Sequence, residues 1–369
     1  MRRSADDHVS MIRSRLWLAV TASLALVVLV GLLGVGDSQA HGKATAFKLA
    51  VAGDIACPPG ERGVPPTGSA NGPDNCQQAV TAALVESLKP NGVAIPGDIQ
   101  YEQGSLTEFL ASFDKTWGSL KQIIYPAPGN HEWYDTPNGQ GYFDYFDGIG
   151  RNTGRAGNRG QGYYSVNLNR YWHLITLNSN CSADNKLIDA PVACNHGSAQ
   201  ERWLRSDLAA HRGQCVIAQW HHPLFTSGPN QGSANDLATA SFWRDLYSAR
   251  ATLVLNGHDH GYERFARQSP SGKADPSFGL REFVLGTGGK SLFGPGPKKA
   301  PNSQSYNNTA YGITLFTLLP HSYQWRFYPA ASAGNGNLQR PWFRALQPPH
   351  SGLTTLRSAP PAVKAFSSH

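Results

Sequence analysis

"LVLNGHDHGYER", residues Leu253–Arg264, is the stretch on which the reading of this chain turns. An apolar run, Leu253–Leu255, leads directly into two histidines, His258 and His260, with glycine at 257 and 261. For both imidazoles to serve one centre the chain has to leave its strand and turn, and glycine is the residue that permits such turns. Alone, a His-x-His pair is more often a surface or core feature than a metal site. Its meaning depends on what the rest of the chain supplies.

Four further apolar runs end the same way. "VAGD" closes on Asp54, "AIPGDIQYE" on Asp98 and Tyr101, "PAPGNHEW" on Asn130 and His131, and "VIAQWHHP" on His221 and His222. Asp54, Asp98 or Asn130 taken singly would pass for a turn residue after a strand. Together, five strand ends carrying metal-ligand residue types argue for one site, because ligands of open α/β sheets collect at the carboxyl ends of strands. Two carboxylates, an amide oxygen, a phenol and three imidazoles exceed what one first-row metal takes. They suffice for two ions sharing a carboxylate, with positions left for water.

The intervening sequence reads as an α/β chain. "FKLAVAGD", residues 92–97, "QIIYPAPGN", "CVIAQW" and "TLVLNG" read as strands. Between them, helices are expected over "CQQAVTAALVESL", from Ser105 (where "SLTE" is a capping box), from Ser198 to about Ala210 ("SAQE" is a second), and over "ANDLATASFWRDLYSARA". "YYSVNL" and "YWHLITLN" read as an antiparallel pair, and "REFVLGTGG", "YGITLFTLL" and "SYQWRFYPA" as late strands. This order predicts one mixed-sheet α/β domain over residues 41–333. The Pro-, Ser- and Ala-rich tail, 334–369, is expected to lie loosely or disordered.

Residues 1–40 read as a signal peptide. Arg2, Arg3, Arg13 and Arg15 precede a nearly continuous apolar run from Leu16 to Val35, and Ser38-Gln39-Ala40 offers small residues for cleavage. The reading is therefore a secreted, extracytoplasmic protein with no membrane association. If uncleaved, the same apolar run is long enough to anchor it. Removing four arginines and three aspartates with the segment takes the net charge of the chain from +7 to +6. That positive balance is diffuse and suits anionic small molecules. No basic run interleaved with aromatics supports a nucleic-acid partner. In an exported chain the five cysteines default to pairing. Cys57–Cys76 and Cys181–Cys194, each bracketing a loop, are expected as bridges, with Cys215 a buried free thiol in a strand.

Taken as a set, the five clusters resemble the blocks of the calcineurin-like metallophosphoesterases, and more narrowly the purple acid phosphatases. The resemblance covers roughly residues 46–330. Where most of the superfamily carries Asp-x-His in the first block, this chain has Ala56, and Tyr101 stands three residues after Asp98. Purple acid phosphatases make that same exchange of imidazole for tyrosinate. The resemblance implies an αββα sandwich of two mixed β-sheets flanked by helices. It implies Fe(III) on Asp54, Asp98, Tyr101 and His260, and a divalent metal (Fe, Zn or Mn) on Asp98, Asn130, His221 and His258, with Asp98 bridging. The His-x-Pro pattern assigns the fourth-block position to His221 rather than His222. His131 is implied to contact substrate and protonate the leaving group, with Asn130 beside it. The implied reaction is hydrolysis of phosphate monoesters, small molecules or phosphopeptides, by in-line attack of a metal-activated hydroxide. The alternatives are a phosphodiesterase on the same scaffold, or a non-catalytic metal- or phosphate-binding surface protein. One departure stands out: the second pocket histidine of the better-known members is missing, its place falling near Asn230 in "SGPNQG". His173, His196 and His211 match no block. Glu263 and Arg264 read as either a salt bridge or a substrate contact.

Overall fold

The structure, a computed structural model, describes residues 46–60, 76–134, 137–181, 192–320, 322–330 and 351–355. The expected signal segment 1–40 lies outside the described residues, as do much of the loops 57–75 and 181–196. The chain order begins β1 (Phe47–Val51), α1 (Gln78–Leu88), β2 (Gly92–Pro96), a run of short helical turns over 106–123, and β3 (Ile124–Ala127). It continues with α2 (Gln140–Phe146), the two-residue strands β4 (Thr153–Gly154) and β5 (Gly157–Asn158), β6 (Tyr164–Asn167), β7 (Trp172–Thr176), α3 (Ala199–Ala210) and β8 (Cys215–Gln219). Next come α4 (Ala234–Ala238), α5 (Ala240–Ser248), β9 (Leu253–Asn256), β10 (Tyr262–Phe265), β11 (Arg281–Leu285) and β12 (Ser303–Asn307). The described chain closes with β13 (Gly312–Leu319), β14 (Ser322–Pro329) and β15 (Ser351–Thr355).

Two mixed sheets result. One has the order β15-β14-β13-β1-β2-β3, the other β12-β10-β11-β9-β8-β7-β6. β1, β2 and β3 run parallel, and so do β7, β8, β9 and β11, so their carboxyl ends gather along an edge of each sheet. Alternation along each strand assigns its side chains to layers. Leu49 and Val51 of β1 join Leu174, Ile217, Leu255 and Phe283 in the core between the sheets. Ala50 faces the other way, with Val93 and Ile95, onto Val85 of α1 and Phe113 and Trp117 of the helical turns. Val216, Ala218 and Val254 pack outward onto Leu204 of α3 and Phe242 and Leu246 of α5. This is the αββα sandwich expected.

Some local expectations hold and others change. Ser105 and Glu108 close a full capping box. At α3 only half of one forms: Ser198 accepts from the Glu201 N–H, while the Glu201 carboxylate turns to Gly197 N–H and His196. The single helix expected over 234–251 is two, because Thr239 ends α4 by bonding the Asp236 carbonyl with its hydroxyl. β10 and β12, not among the expected strands, form the sheet's far side. Within the tail expected to be loose, β15 pairs antiparallel with β14. The bridges Cys57–Cys76 and Cys181–Cys194 are present. Cys215 is free but only partly buried, since it opens the exposed end of β8.

Candidate metal centre

Asp54 follows β1, Asp98 follows β2, Asn130 and His131 follow β3, His221 follows β8, and His258 and His260 follow β9. The strand ends therefore bring every expected residue to one place, and the backbone bends sharply to do it. Asp54, Asp98 and His258 sit at φ +59°, +47° and +72°. These left-handed conformations cost energy for residues with a side chain, Asp and His tolerating them better than most. The turn expected of the flanking glycines is thus made by His258 itself. Gly257 serves a different need: a Cβ there would stand 2.6 Å from Asp54 Oδ2 and 2.7 Å from the Pro96 carbonyl. Gly129 is as tightly placed, its missing Cβ falling on the Asp98 carboxylate.

The Tyr101 hydroxyl lies 3.0 Å from Asp54 Oδ1, 3.1 Å from Asp98 Oδ2 and 2.9 Å from His260 Nε2. His260 Nε2 is 3.3 Å from Asp54 Oδ1. At the same Asp98 oxygen, Oδ2, His221 Nε2 stands 3.1 Å away, and it lies 3.2 Å from His258 Nδ1. Asp98 therefore touches both groups of side chains. Asn130 gives its amide N–H to the Tyr134 hydroxyl at 2.6 Å, and its buried Oδ1 has no hydrogen-bond partner. His131 donates its backbone N–H to Asp98 Oδ1 at 3.1 Å. Its ring lies 4.2 Å from that of Tyr101, with Nε2 3.8 Å from Asp98 Oδ2.

These residues fit a pair of cations. His221 Nδ1 is 3.0 Å from the Pro96 carbonyl, and His260 Nδ1 meets the Ser291 carbonyl. A carbonyl only accepts, so both Nδ1 atoms carry the proton and, in the neutral rings, the Nε2 lone pairs face carboxylate oxygens. Lone pairs facing anions, with an orphaned amide oxygen alongside, are repulsive until positive charge enters. Without an ion, a proton takes that place. Burial works against charge on His221, but Asp98 outweighs it and holds the imidazole up at about 9. Burial likewise opposes charge on Asp98, yet His221 and His131 bring its carboxyl well below the ordinary value. Burial, then Asp54 and Asp98, push the Tyr101 phenol well up, an effect that a bound cation reverses. Burial and the neighbouring His221 depress His258 to about 3, which leaves it neutral and able to donate a lone pair.

His222, weighed against His221, has a ring nitrogen within 4.8 Å of ligand atoms of both His221 and His258, while its Nδ1 is 2.8 Å from Ser179 Oγ and its ring 4.5 Å from that of His258. Asn230, in the place of the missing pocket histidine, binds Asp259 Oδ1 at 3.0 Å and braces the histidine loop. Glu263 and Arg264 turn to partners other than each other. Glu263 bonds the Ser227 N–H and hydroxyl, and Arg264 lies over Trp325.

Other contributors escaped the sequence. Glu132 accepts the N–H groups of Ile99, Gln100 and Gly129, tying the Asp98 and Asn130 turns together. Phe293 stacks on His260 at 3.8 Å. "GNHEW" and the glycine run "GTGG" were the available signals. A second cluster, His173, Asp207 and His211, has ligand atoms close enough for an ion. Its two imidazoles are stacked 3.7 Å apart at 15°, so their planes do not meet within bonding distance of both rings and they cannot aim lone pairs at one metal. They serve Asp207 as hydrogen-bond partners instead.

The model of the calcineurin-like phosphoesterase family matches residues 47–262, more than half the chain. Purple acid phosphatase 22 of Arabidopsis thaliana is 24% identical over 226 residues, 57% of this chain and 47% of that protein. Purple acid phosphatase 15 of the same plant is 25% identical over 227 residues, 54% of this chain and 40% of its own length. The matches thus span less than half of these relatives. Among solved structures, the purple acid phosphatase PPD1 of yellow lupin superposes with a TM-score of 0.62 at 17% identity, covering 88% of this chain and 58% of that one. PhoD superposes at 0.54 and 13% identity, covering 85% of this chain and 69% of that one.

Proposed function

Since the chain belongs to the calcineurin-like phosphoesterases, we propose that it is a secreted, binuclear metallophosphatase of purple acid phosphatase type. Its substrates would be phosphate monoesters, small molecules or phosphopeptides. One observation carries the narrower reading: the Tyr101 hydroxyl meets Asp54, Asp98 and His260, each within 3.1 Å. A phenolate among two carboxylates and an imidazole suits a trivalent ion. Asp54, Asp98, Tyr101 and His260 would hold Fe(III). Asp98, Asn130, His221 and His258 would hold a divalent Fe, Zn or Mn. When bound, the pair supplies Lewis acidity and a nucleophilic water for in-line displacement at phosphorus.

The chain's own residues do the rest. Pro96 and Ser291 carbonyls fix the tautomers of His221 and His260. Asn130 and His131 orient the phosphoryl group. His131, held through Nδ1 by the Glu102 carbonyl at 2.7 Å, presents Nε2 inward, from where it can give a proton to the leaving oxygen. The domain is taken as 41–333 after a signal segment 1–40. The two disulfides support an extracytoplasmic location.

Metal analysis of the purified protein with its visible spectrum tests the reading, alongside hydrolysis of p-nitrophenyl phosphate. We expect one iron and one divalent ion per chain, and a broad charge-transfer band that Tyr101→Phe bleaches. An active, colourless, iron-free protein would rule out the purple-type assignment.

A further inference from the structure

Lys290 follows the glycine run 286–289 after β11, and its backbone N–H donates to the Asp54 carbonyl at 3.0 Å. Its ammonium stands 2.7 Å from Glu102 Oε1 and 5.1 Å from the centre of the Tyr101 ring. Glu102 lies against His131, its carbonyl 2.7 Å and its Oε2 3.5 Å from His131 Nδ1. Cation, carboxylate and His131 thus share the side of the centre that opens to solvent. The Lys290 side chain is 14% exposed and that of Glu102 45%. With its carboxylate member this open to water, the ion pair contributes about 0–1 kcal/mol, so stability is a poor reason to hold a lysine there.

We propose that Lys290 is a specificity-determining residue that takes a second phosphoryl group on the leaving-group side of the substrate. The proposal rests on the phosphoesterase reading above and assigns to Lys290 the discrimination between substrates with a second phosphate, on an anhydride or on the alcohol of an ester, and those without one. Three features point this way. Lys290 and His131, the group assigned to the leaving oxygen, both contact Glu102. Its backbone is tied to Asp54 and its side chain is mostly enclosed, so its charge stays in place. Glu102 is the exposed member of the pair and swings aside when a substrate phosphate replaces it. A monoester of an uncharged alcohol offers Lys290 no anion and leaves the pair closed.

The experiment uses the metal-loaded full chain as wild type, Lys290→Met and Glu102→Gln. It compares kcat/KM for pyrophosphate and p-nitrophenyl phosphate, and measures by calorimetry the Kd of imidodiphosphate, which is not hydrolysed. Lys290→Met should lower the ratio of pyrophosphate to p-nitrophenyl phosphate about tenfold, chiefly through KM, the size of one charge-assisted hydrogen bond. It should weaken imidodiphosphate by a similar factor. Glu102→Gln, which removes the competing anion, should shift both quantities in the opposite direction. If the two variants move them the same way, or neither moves them, Lys290 only braces Glu102 and the proposal fails. A wild type that hydrolyses neither substrate counts instead against the phosphoesterase reading, and imidodiphosphate binding still decides the role of Lys290.

Discussion

Asp98 carries more of this site than any other residue. One of its oxygens meets Tyr101 and His221, and the other accepts the His131 N–H. It holds that position at φ +47°, a conformation that costs energy for a residue with a side chain. Asp98→Asn keeps the shape and the turn but halves the acceptor capacity and removes the charge both ions would share. We expect bound metal to fall at both positions, and phosphatase turnover to drop by about two orders of magnitude or more, as when one preorganised electrostatic group is lost. Elemental analysis and turnover of the purified variant check this. Two metals per chain with near-normal turnover would show that Asp98 does not bridge. At this scale the sequence was informative wherever chemistry is written in the residue type, as at Asp54, Tyr101 and His260. It was silent on which residues take a positive φ, since nothing in "NGHDH" distinguishes a turn made by Gly257 from one made by His258. It was equally silent on Lys290 and Phe293, which reach the site from a loop without periodicity.

Among the elements, the loop after β9 shows how little slack the two sheets leave at their shared edge. Gly257 fits between the Asp54 carboxylate and the Pro96 carbonyl, and the carbonyl belongs to β2 and cannot yield as a flexible side chain would. Gly257→Ala should therefore cost about 1–3 kcal/mol through overpacking. It should also reduce bound metal, because the added methyl separates Asp54 from the turn that carries His258. Gly261→Ala is the contrast: its Cβ would come tight only to the Asn307 carbonyl, at 3.2 Å, a few tenths of an ångström of adjustment, with Asn308 at an ordinary 3.6 Å. Melting temperature and metal content of the two variants together test the claim, and equal behaviour would contradict it. The buried parallel strands were legible because their apolar runs are continuous. β12, "SQSYN", was not, because a polar strand at a sheet edge lacks both the apolar run and a clear alternation. β15 was hidden similarly, since its pairing with β14 is a long-range contact that the composition of the tail does not reveal.

Across the whole molecule, the outer side of the second sheet buries carboxyl groups that the proposed chemistry does not use. Asp236, at the start of α4, is fully buried and accepts the Ser233 N–H at 3.2 Å, while its Oδ1 has no hydrogen-bond partner. Burial pushes its carboxyl up to about 8, with Asp259 adding to the rise against the hydrogen bonds from Ser233. The folded protein therefore keeps a proton that the unfolded chain releases near the ordinary carboxylate value of 3.8. Over that interval the folded state binds more protons, so stability is fully present below about pH 4 and declines as pH rises towards 8. Glu282, buried close by, is shifted in the same direction, chiefly by burial and then by Glu263 and Asp236. Asp236→Asn keeps the acceptor for the Ser233 N–H and removes the ionisation. It should leave stability near pH 4 little changed and raise it by at least ~1 kcal/mol at pH 8, flattening the pH dependence by about 2–4 °C in melting temperature. Thermal melts of both proteins from pH 4 to pH 8 decide the matter. Parallel curves for the variant and the wild type would mean that Asp236 ionises in the fold without cost, and that the decline lies with Glu282 or another buried acid.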